Sequence, residues 1–97
     1  MSDTKQAKRY LVAGIVQGVG FRFFTQHAAE KLRLSGYVRN LHDGRVEVYA
    51  IGTREQLAGL CAALEQGPRF SGVSEVREEA APIDAQYEGG FVITNNA

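Results

Sequence analysis

The chain contains a single cysteine, Cys61, and only two histidines among its 97 residues. One cysteine cannot form an internal disulfide, and it excludes the metal sites that use several cysteines. With only His27 and His42 to add, a structural zinc site is not expected either. We therefore expect a fold held by its hydrophobic core, with no bound metal and no cofactor.

Long apolar runs and an excess of charge of one sign are also missing. No run of about 18 apolar residues is present, and the first residues lack the apolar core of a signal peptide, so we expect no membrane partner. Lysine plus arginine number 11, as do aspartate plus glutamate, which argues against a broad basic surface for nucleic acid. We expect a soluble, cytoplasmic protein in which any anion site is local.

The length indicates one small domain. At 97 residues a chain buries a single modest core, roughly 60–65% of its unfolded surface. We expect a flexible N-terminus over residues 1–7 and one domain over residues 8–97, and nothing in the sequence demands a partner, so we expect a monomer.

Alternating and helical patterns succeed one another in the order β-α-β-β-α-β, followed by a short C-terminal strand. The predicted strands are residues 8–16, 37–41, 45–51, 73–80 and 91–94. The first predicted helix, residues 21–34, has an apolar stripe of Phe24, Ala28 and Leu32 and ends near Gly36 as a left-handed cap. The second follows a capping box of Thr53 and Gln56, and its apolar stripe is Leu57, Leu60, Cys61 and Leu64.

This order predicts a ferredoxin-like α/β sandwich of the α+β class, with two helices on one face of an antiparallel sheet. A right-handed first crossover that leaves room for the return strand of the hairpin gives the strand order 4-1-3-2. The end of the first strand, the start of the first helix and the end of the second strand then share one rim of the sheet. We therefore expect Arg22 and Asn40 to face a common site.

A glycine-rich turn joins the first strand to the first helix. Gly18 and Gly20 flank a valine there, so the backbone can curl into a nest of N–H groups for an anion, and Arg22 adds a guanidinium fork. Two glycines can also be present in such a turn for purely steric reasons. A dinucleotide fingerprint would need glycine where Phe23 stands, and a Walker loop would need Gly-Lys-Ser/Thr, so neither nucleotide motif fits.

Two sequence motifs make the prediction of function more specific. Residues 14–22 read GIVQGVGFR, and residues 36–40 read GYVRN, followed by Gly44, Val46 and Gly52. At this spacing the motifs closely resemble the two signatures of the acylphosphatase family. The resemblance covers about residues 8–94 and includes Gly67 and Pro68.

The resemblance implies hydrolysis of the carboxyl–phosphate bond of acyl phosphates, without a metal. It implies that Arg22 binds the substrate and that Asn40 orients the attacking water, and these two are the predicted catalytic residues. The predicted phosphate cradle is the backbone of Gln17, Gly18, Val19, Gly20 and Phe21, with Arg22. An acyl phosphate is then the expected partner, with inorganic phosphate or a similar anion bound in the same loop.

Two other functions are alternatives to hydrolysis. A non-catalytic module that binds an anion or an acyl phosphate would use the same pocket, whereas an RNA-binding module would need more exposed aromatic residues and a basic surround. We interpret Cys61 as a small core residue, and His27 and His42 as surface or packing residues. We interpret Glu47 as a sheet-face residue.

Overall fold

The computed structural model describes residues 4–97. Within these residues, five strands and two helices follow one another in the predicted order, and one short 3-10 helix lies in the segment predicted as a polar loop. The strands are β1 (Gln6–Ile15), β2 (Ser35–Asn40), β3 (Val46–Gly52), β4 (Gly72–Ala81) and β5 (Phe91–Ile93); the helices are α1 (Phe21–Lys31) and α2 (Arg54–Gln66), and the 3-10 helix is Ala85–Tyr87.

The first strand begins two residues earlier than predicted. Gln6 pairs with Gly52 and Ala7 with Ile51, and Ala7 is buried. These two residues of the predicted flexible segment 1–7 are therefore part of the sheet, while residues 1–3 lie outside the described part of the chain.

The sheet has the order β4-β1-β3-β2-β5, which confirms the predicted order of the first four strands. Those four pair antiparallel, as predicted. The last strand differs, because β5 pairs with β2 in parallel and makes the sheet mixed rather than wholly antiparallel. The chain reaches β5 through the loop after β4, which returns it beside β2 in the same direction.

Alternation along β3 assigns its two faces. Val46, Val48 and Ala50 join one core with residues of both helices, among them Ala29 and Leu60. Two helices therefore cover one face of the sheet, as expected for the ferredoxin-like fold. Neither helix within residues 4–97 is long and apolar enough to cross a membrane.

The end of α1 differs from the prediction. The helix stops at Lys31 with Leu32 as its C-cap, and Arg33 (φ 61°) takes the left-handed conformation that we assigned to Gly36. Gly36 instead lies in β2, where an added Cβ would come within 1.9 Å of the Tyr49 carbonyl oxygen. The glycine is needed for close strand approach rather than for helix termination.

The apolar stripe of α1 is also shifted by one position. The buried residues are Phe21, Thr25 and Ala29 rather than Phe24, Ala28 and Leu32. Thr25 is tolerated in the core because its hydroxyl donates to the Phe21 carbonyl oxygen at 2.9 Å. Ala28 and Leu32 pack against the edge of the core, partly buried.

The second helix follows the prediction closely. Thr53 Oγ1 accepts from the Gln56 backbone N–H, and Gln56 Oε1 accepts from the Thr53 N–H, which completes the capping box. Leu57, Leu60 and Leu64 are buried, and Cys61 is partly buried against the same core.

The second face of the sheet carries a buried ion-pair cluster and a group of tyrosines. Glu47, interpreted from sequence simply as a sheet-face residue, is only 7% exposed there and pairs with Arg9 and Arg39. Tyr37, Tyr49 and Tyr87 form an aromatic cluster beside these charges. The two guanidinium groups make it possible to bury the carboxylate, because a buried charge must be paired.

Candidate active site

The two predicted catalytic residues line one cavity. It encloses about 160 Å³, and its wall is formed by the end of the turn after β1, the first turn of α1 and the end of β2. The lining residues are Val16, Gly18, Gly20, Phe21, Arg22, Phe23 and Asn40. Two predicted cradle residues, Gln17 and Val19, are not among them.

The turn between β1 and α1, residues 17–20, is called the glycine loop below. Gly18 (φ 76°) and Gly20 (φ 78°) both have left-handed backbone conformations, which other residues adopt only with strain. No described atom lies within 4 Å of a Cβ built on either residue, so the glycines serve the backbone path and not close packing. Alternation of left-handed and ordinary conformations directs successive N–H groups to one side, as in an anion nest.

The glycine loop runs directly into α1. Gly20 is the N-cap residue and offers no side chain to cap the helix, and the first intrahelical bond is donated by the Phe24 N–H to the Gly20 carbonyl oxygen at 3.0 Å. The N–H groups of Phe21, Arg22 and Phe23 precede that bond and have no partner within the helix. They lie at the positive end of the helix dipole, where an anion is stabilised.

The side chain of Phe21 anchors the start of α1. Its ring is buried in the core and lies 5.9 Å from the ring of Phe24, centroid to centroid. This anchoring fixes the first turn of α1, so that Arg22, the next residue, projects from a rigid element.

Asn40 is one of the buried residues that line the cavity. It is 9% exposed and ends β2, paired with Val46 of β3. Its Oδ1 atom is buried and accepts no hydrogen bond from any residue between 4 and 97. A buried amide oxygen without a partner is costly, so this atom is suited to accept a hydrogen bond from a bound water.

The side chain of Gln17 connects the glycine loop to the hairpin that carries Asn40. Its Nε2 donates to the carbonyl oxygens of Leu41 at 2.8 Å and of Arg45 at 2.9 Å. Each amide hydrogen therefore has one acceptor. From the sequence we expect the backbone of Gln17 to be part of the cradle, and no sequence pattern predicts this cross-link.

The hairpin itself is fixed by Asp43 and Arg45. The Asp43 carboxylate accepts from the Arg45 backbone N–H at 3.0 Å and from Arg45 Nε at 2.9 Å. These hydrogen bonds hold the pKa of the Asp43 carboxyl below its usual value. His42, in the same turn, is exposed and does not line the cavity.

The residues after β5 also hold the backbone of Asn40 in place. The Ala97 N–H donates to the Asn40 carbonyl oxygen at 3.0 Å, and the His42 N–H donates to the Ala97 carbonyl oxygen at 2.6 Å. The Asn40 backbone is thus held from both sides, by β3 and by residue 97. No sequence pattern indicated this contact, because the residues from 95 to 97 have no apolar periodicity.

The remaining chemistry-bearing residues do not converge on the cavity. His27 is exposed, and Cys61 lies on α2 away from the lining residues. Within residues 4–97, no group of three or more His, Cys, Asp or Glu side chains is arranged to hold a metal ion. The cavity lining itself includes no carboxylate and no histidine.

Comparisons with known proteins show which family the chain resembles. The sequence model of the acylphosphatase family matches residues 8–93. The chain is 55% identical to an acylphosphatase of Koribacter versatilis (strain Ellin345), over 84% of this chain and 76% of the relative. It is 45% identical to an acylphosphatase of Vibrio cholerae serotype O1 (strain ATCC 39315 / El Tor Inaba N16961), over 88% of this chain and 93% of the relative.

A solved structure extends the match from sequence to fold. The crystal structure of acylphosphatase from Bacillus subtilis superposes with a TM-score of 0.86 at 36% sequence identity, covering 94% of this chain and 99% of that one. The family match spans both motifs and nearly all the described residues. The chain therefore belongs to the acylphosphatase family.

Proposed function

We propose that this member of the acylphosphatase family hydrolyses acyl phosphates by direct in-line attack of a water oriented by Asn40, with the phosphate bound by Arg22 and the glycine loop. The products are a carboxylate and inorganic phosphate. The observation that carries the proposal is that Arg22, Asn40 and the open amides at the start of α1 all border one small cavity.

The phosphate half of the cavity suits a dianion. The nest of Gly18 and Gly20 and the first amides of α1 supply fixed N–H donors, and the Arg22 guanidinium can bind two phosphate oxygens at once. Phosphoryl transfer spreads charge over the equatorial oxygens in a loose transition state. Fixed donors stabilise that charge without reorganising as it develops.

Asn40 supplies the second function. An amide can accept a hydrogen bond from the water through Oδ1 and donate another to a phosphate oxygen through Nδ2. A carboxylate in this position would repel the dianion. The carboxylate product is itself a good leaving group, so positioning of the water supplies much of the catalysis, and neither a strong base nor a metal is required by the chemistry.

The alternative is a module that binds an anion or an acyl phosphate without turning it over. Asn40 Oδ1 has no donor among residues 4–97, and this favours the enzyme, because a pure anion site has no use for a buried acceptor. We also propose that the protein acts as a monomer in the cytoplasm, without nucleic acid or membrane partners.

The test is an assay of turnover with acetyl phosphate, with and without a chelator, alongside a measurement of inorganic phosphate binding. We expect turnover that is insensitive to the chelator and competitively inhibited by inorganic phosphate. Phosphate binding without turnover would support the binding module instead, and turnover abolished by the chelator would contradict the metal-independent mechanism.

A further inference from the structure

The first turn of α1 places an apolar ring at the cavity. Phe23 lines it beside Arg22, yet the residue is 69% exposed. The ring of Phe21, two residues earlier, is part of the hydrophobic core, whereas Phe23 is not, so core packing does not explain the presence of a phenylalanine at position 23. A scattered exposed phenylalanine needs no explanation, but one that borders a polar cavity can contact what binds there.

Burial orders the cavity lining by depth. Val16, Phe21 and Asn40 are the buried residues of the lining, and we take them as its floor. Phe23 is exposed, as are Gly18 and Gly20, and we take these three as its mouth. In an in-line displacement, the attacking water and the leaving oxygen lie on opposite sides of phosphorus. If Asn40 holds the water at the floor, the leaving carboxylate points outward, towards the mouth.

We propose that Phe23 is the residue that contacts the acyl group and that it favours acyl phosphates with a planar, apolar acyl group. This inference rests on the proposed function. An aromatic acyl group can stack on the Phe23 ring or meet it edge to face, while an acetyl group presents only one methyl group to it. The phosphate half of the site is common to all substrates and cannot discriminate between them.

The test compares benzoyl phosphate with acetyl phosphate in the wild type and in Phe23→Ala and Phe23→Leu. We expect Phe23→Ala to lower kcat/KM for benzoyl phosphate about tenfold, the size expected for one lost aromatic contact, with a clearly smaller loss for acetyl phosphate. The loss is expected mainly in KM, because the contact is equally present in the ground state and the transition state. Phe23→Leu should lie between the wild type and Phe23→Ala.

Phe70 provides a matched control. It is 83% exposed, it follows α2, and it is not part of the cavity lining. Phe70→Ala removes the same exposed ring elsewhere, so its ratio of benzoyl to acetyl phosphate activity should equal that of the wild type. The same ratio change in Phe70→Ala as in Phe23→Ala would overturn the inference, since it would mark a general effect of surface hydrophobicity.

Two further outcomes separate this inference from the proposed function. An equal loss for both substrates in Phe23→Ala, with normal turnover in the wild type, would overturn the acyl contact and leave the proposed hydrolysis intact. Wild-type protein that binds inorganic phosphate but hydrolyses neither substrate would overturn the proposed function, and this inference with it. Retention of the inhibition constant for inorganic phosphate in Phe23→Ala would support a role confined to the acyl group.

Discussion

Gln17 and Leu41, each adjacent in sequence to a residue that lines the candidate active site, are joined by a hydrogen bond of 2.8 Å from the side-chain amide of Gln17 to the backbone carbonyl of Leu41. Leu41 directly follows Asn40, and Gln17 opens the glycine loop. The relative position of the phosphate cradle and the proposed water-binding residue therefore depends on a side chain that does not itself line the cavity.

Removal of this cross-link should lower both turnover and stability. We expect Gln17→Ala to lower kcat about tenfold, because catalysis that depends on positioning is sensitive to small displacements of the reacting groups. The two lost hydrogen bonds should cost about 1 kcal/mol each in the free energy of unfolding. Steady-state kinetics and chemical denaturation measure the two effects separately.

Gln26 offers the matched control for Gln17. Its Nε2 donates to the Phe91 carbonyl oxygen at 3.2 Å and links α1 to β5, and Gln26 is not among the residues that line the cavity. Gln26→Ala should lower stability to a similar or smaller extent and leave kcat unchanged. If both variants lost activity in proportion to their stability, Gln17 would have no specific positioning role.

Replacement of Arg22 by lysine tests the proposed geometry of phosphate binding. Lysine keeps the charge but cannot form two parallel hydrogen bonds to a phosphate, so we expect kcat/KM to fall at least about tenfold. Arg22→Ala should be more damaging still. Near-normal hydrolysis by a folded Arg22→Ala protein would show that the substrate is bound elsewhere.

Asn40 should show a different kinetic signature. We expect Asn40→Ala to lower kcat about 10²–10³-fold, the range found when one aligned donor or acceptor is removed from a catalytic site. Phosphate affinity should be largely retained, because the cradle amides and Arg22 remain. A variant that no longer binds inorganic phosphate would contradict this division of roles.

The thiol of Cys61 should react slowly at neutral pH. Burial raises the pKa of its thiol, and the carboxylates of Glu65 and Glu78 add to the effect. The thiolate, which is the reactive form, is therefore scarce at neutral pH and increases only as the pH rises beyond the ordinary thiol pKa. Alkylation by iodoacetamide at pH 7 should be slower than that of glutathione, and Cys61→Ala should retain full activity. Rapid alkylation accompanied by inactivation would point to a role in catalysis that the structure does not suggest.

The capping box of α2 allows stability to be changed without changing the site. Thr53→Ala removes the acceptor for the Gln56 N–H, and we expect a loss of about 1 kcal/mol in the free energy of unfolding. Steady-state activity at 25 °C should not change, since α2 does not border the cavity. Thermal denaturation followed by circular dichroism measures the first effect, and a fall in kcat would reveal an unexpected coupling between α2 and the site.

Local signals in the sequence determined the order of the elements and the nature of the turn before α1. The capping box of α2, the alternation along β3 and the glycines at 18 and 20 are each set by neighbours in the chain, and the structure has them as predicted. The handedness of the first crossover then predicted the order of four strands. For the same reason, the sequence predicts that Arg22 and Asn40 lie at one rim of the sheet.

The tertiary structure alone decided what depends on contacts between distant segments. The parallel pairing of β5 with β2, the burial of Glu47 between Arg9 and Arg39, and the hydrogen bonds that Gln17 donates to the hairpin all join residues far apart in sequence. The end of α1 also depends on a contact between distant segments. Gly36 is required where β3 approaches β2 closely, and the left-handed residue after the helix is Arg33 instead. Local propensity sets which elements form and roughly where; long-range packing sets where they end and which side chains support the site.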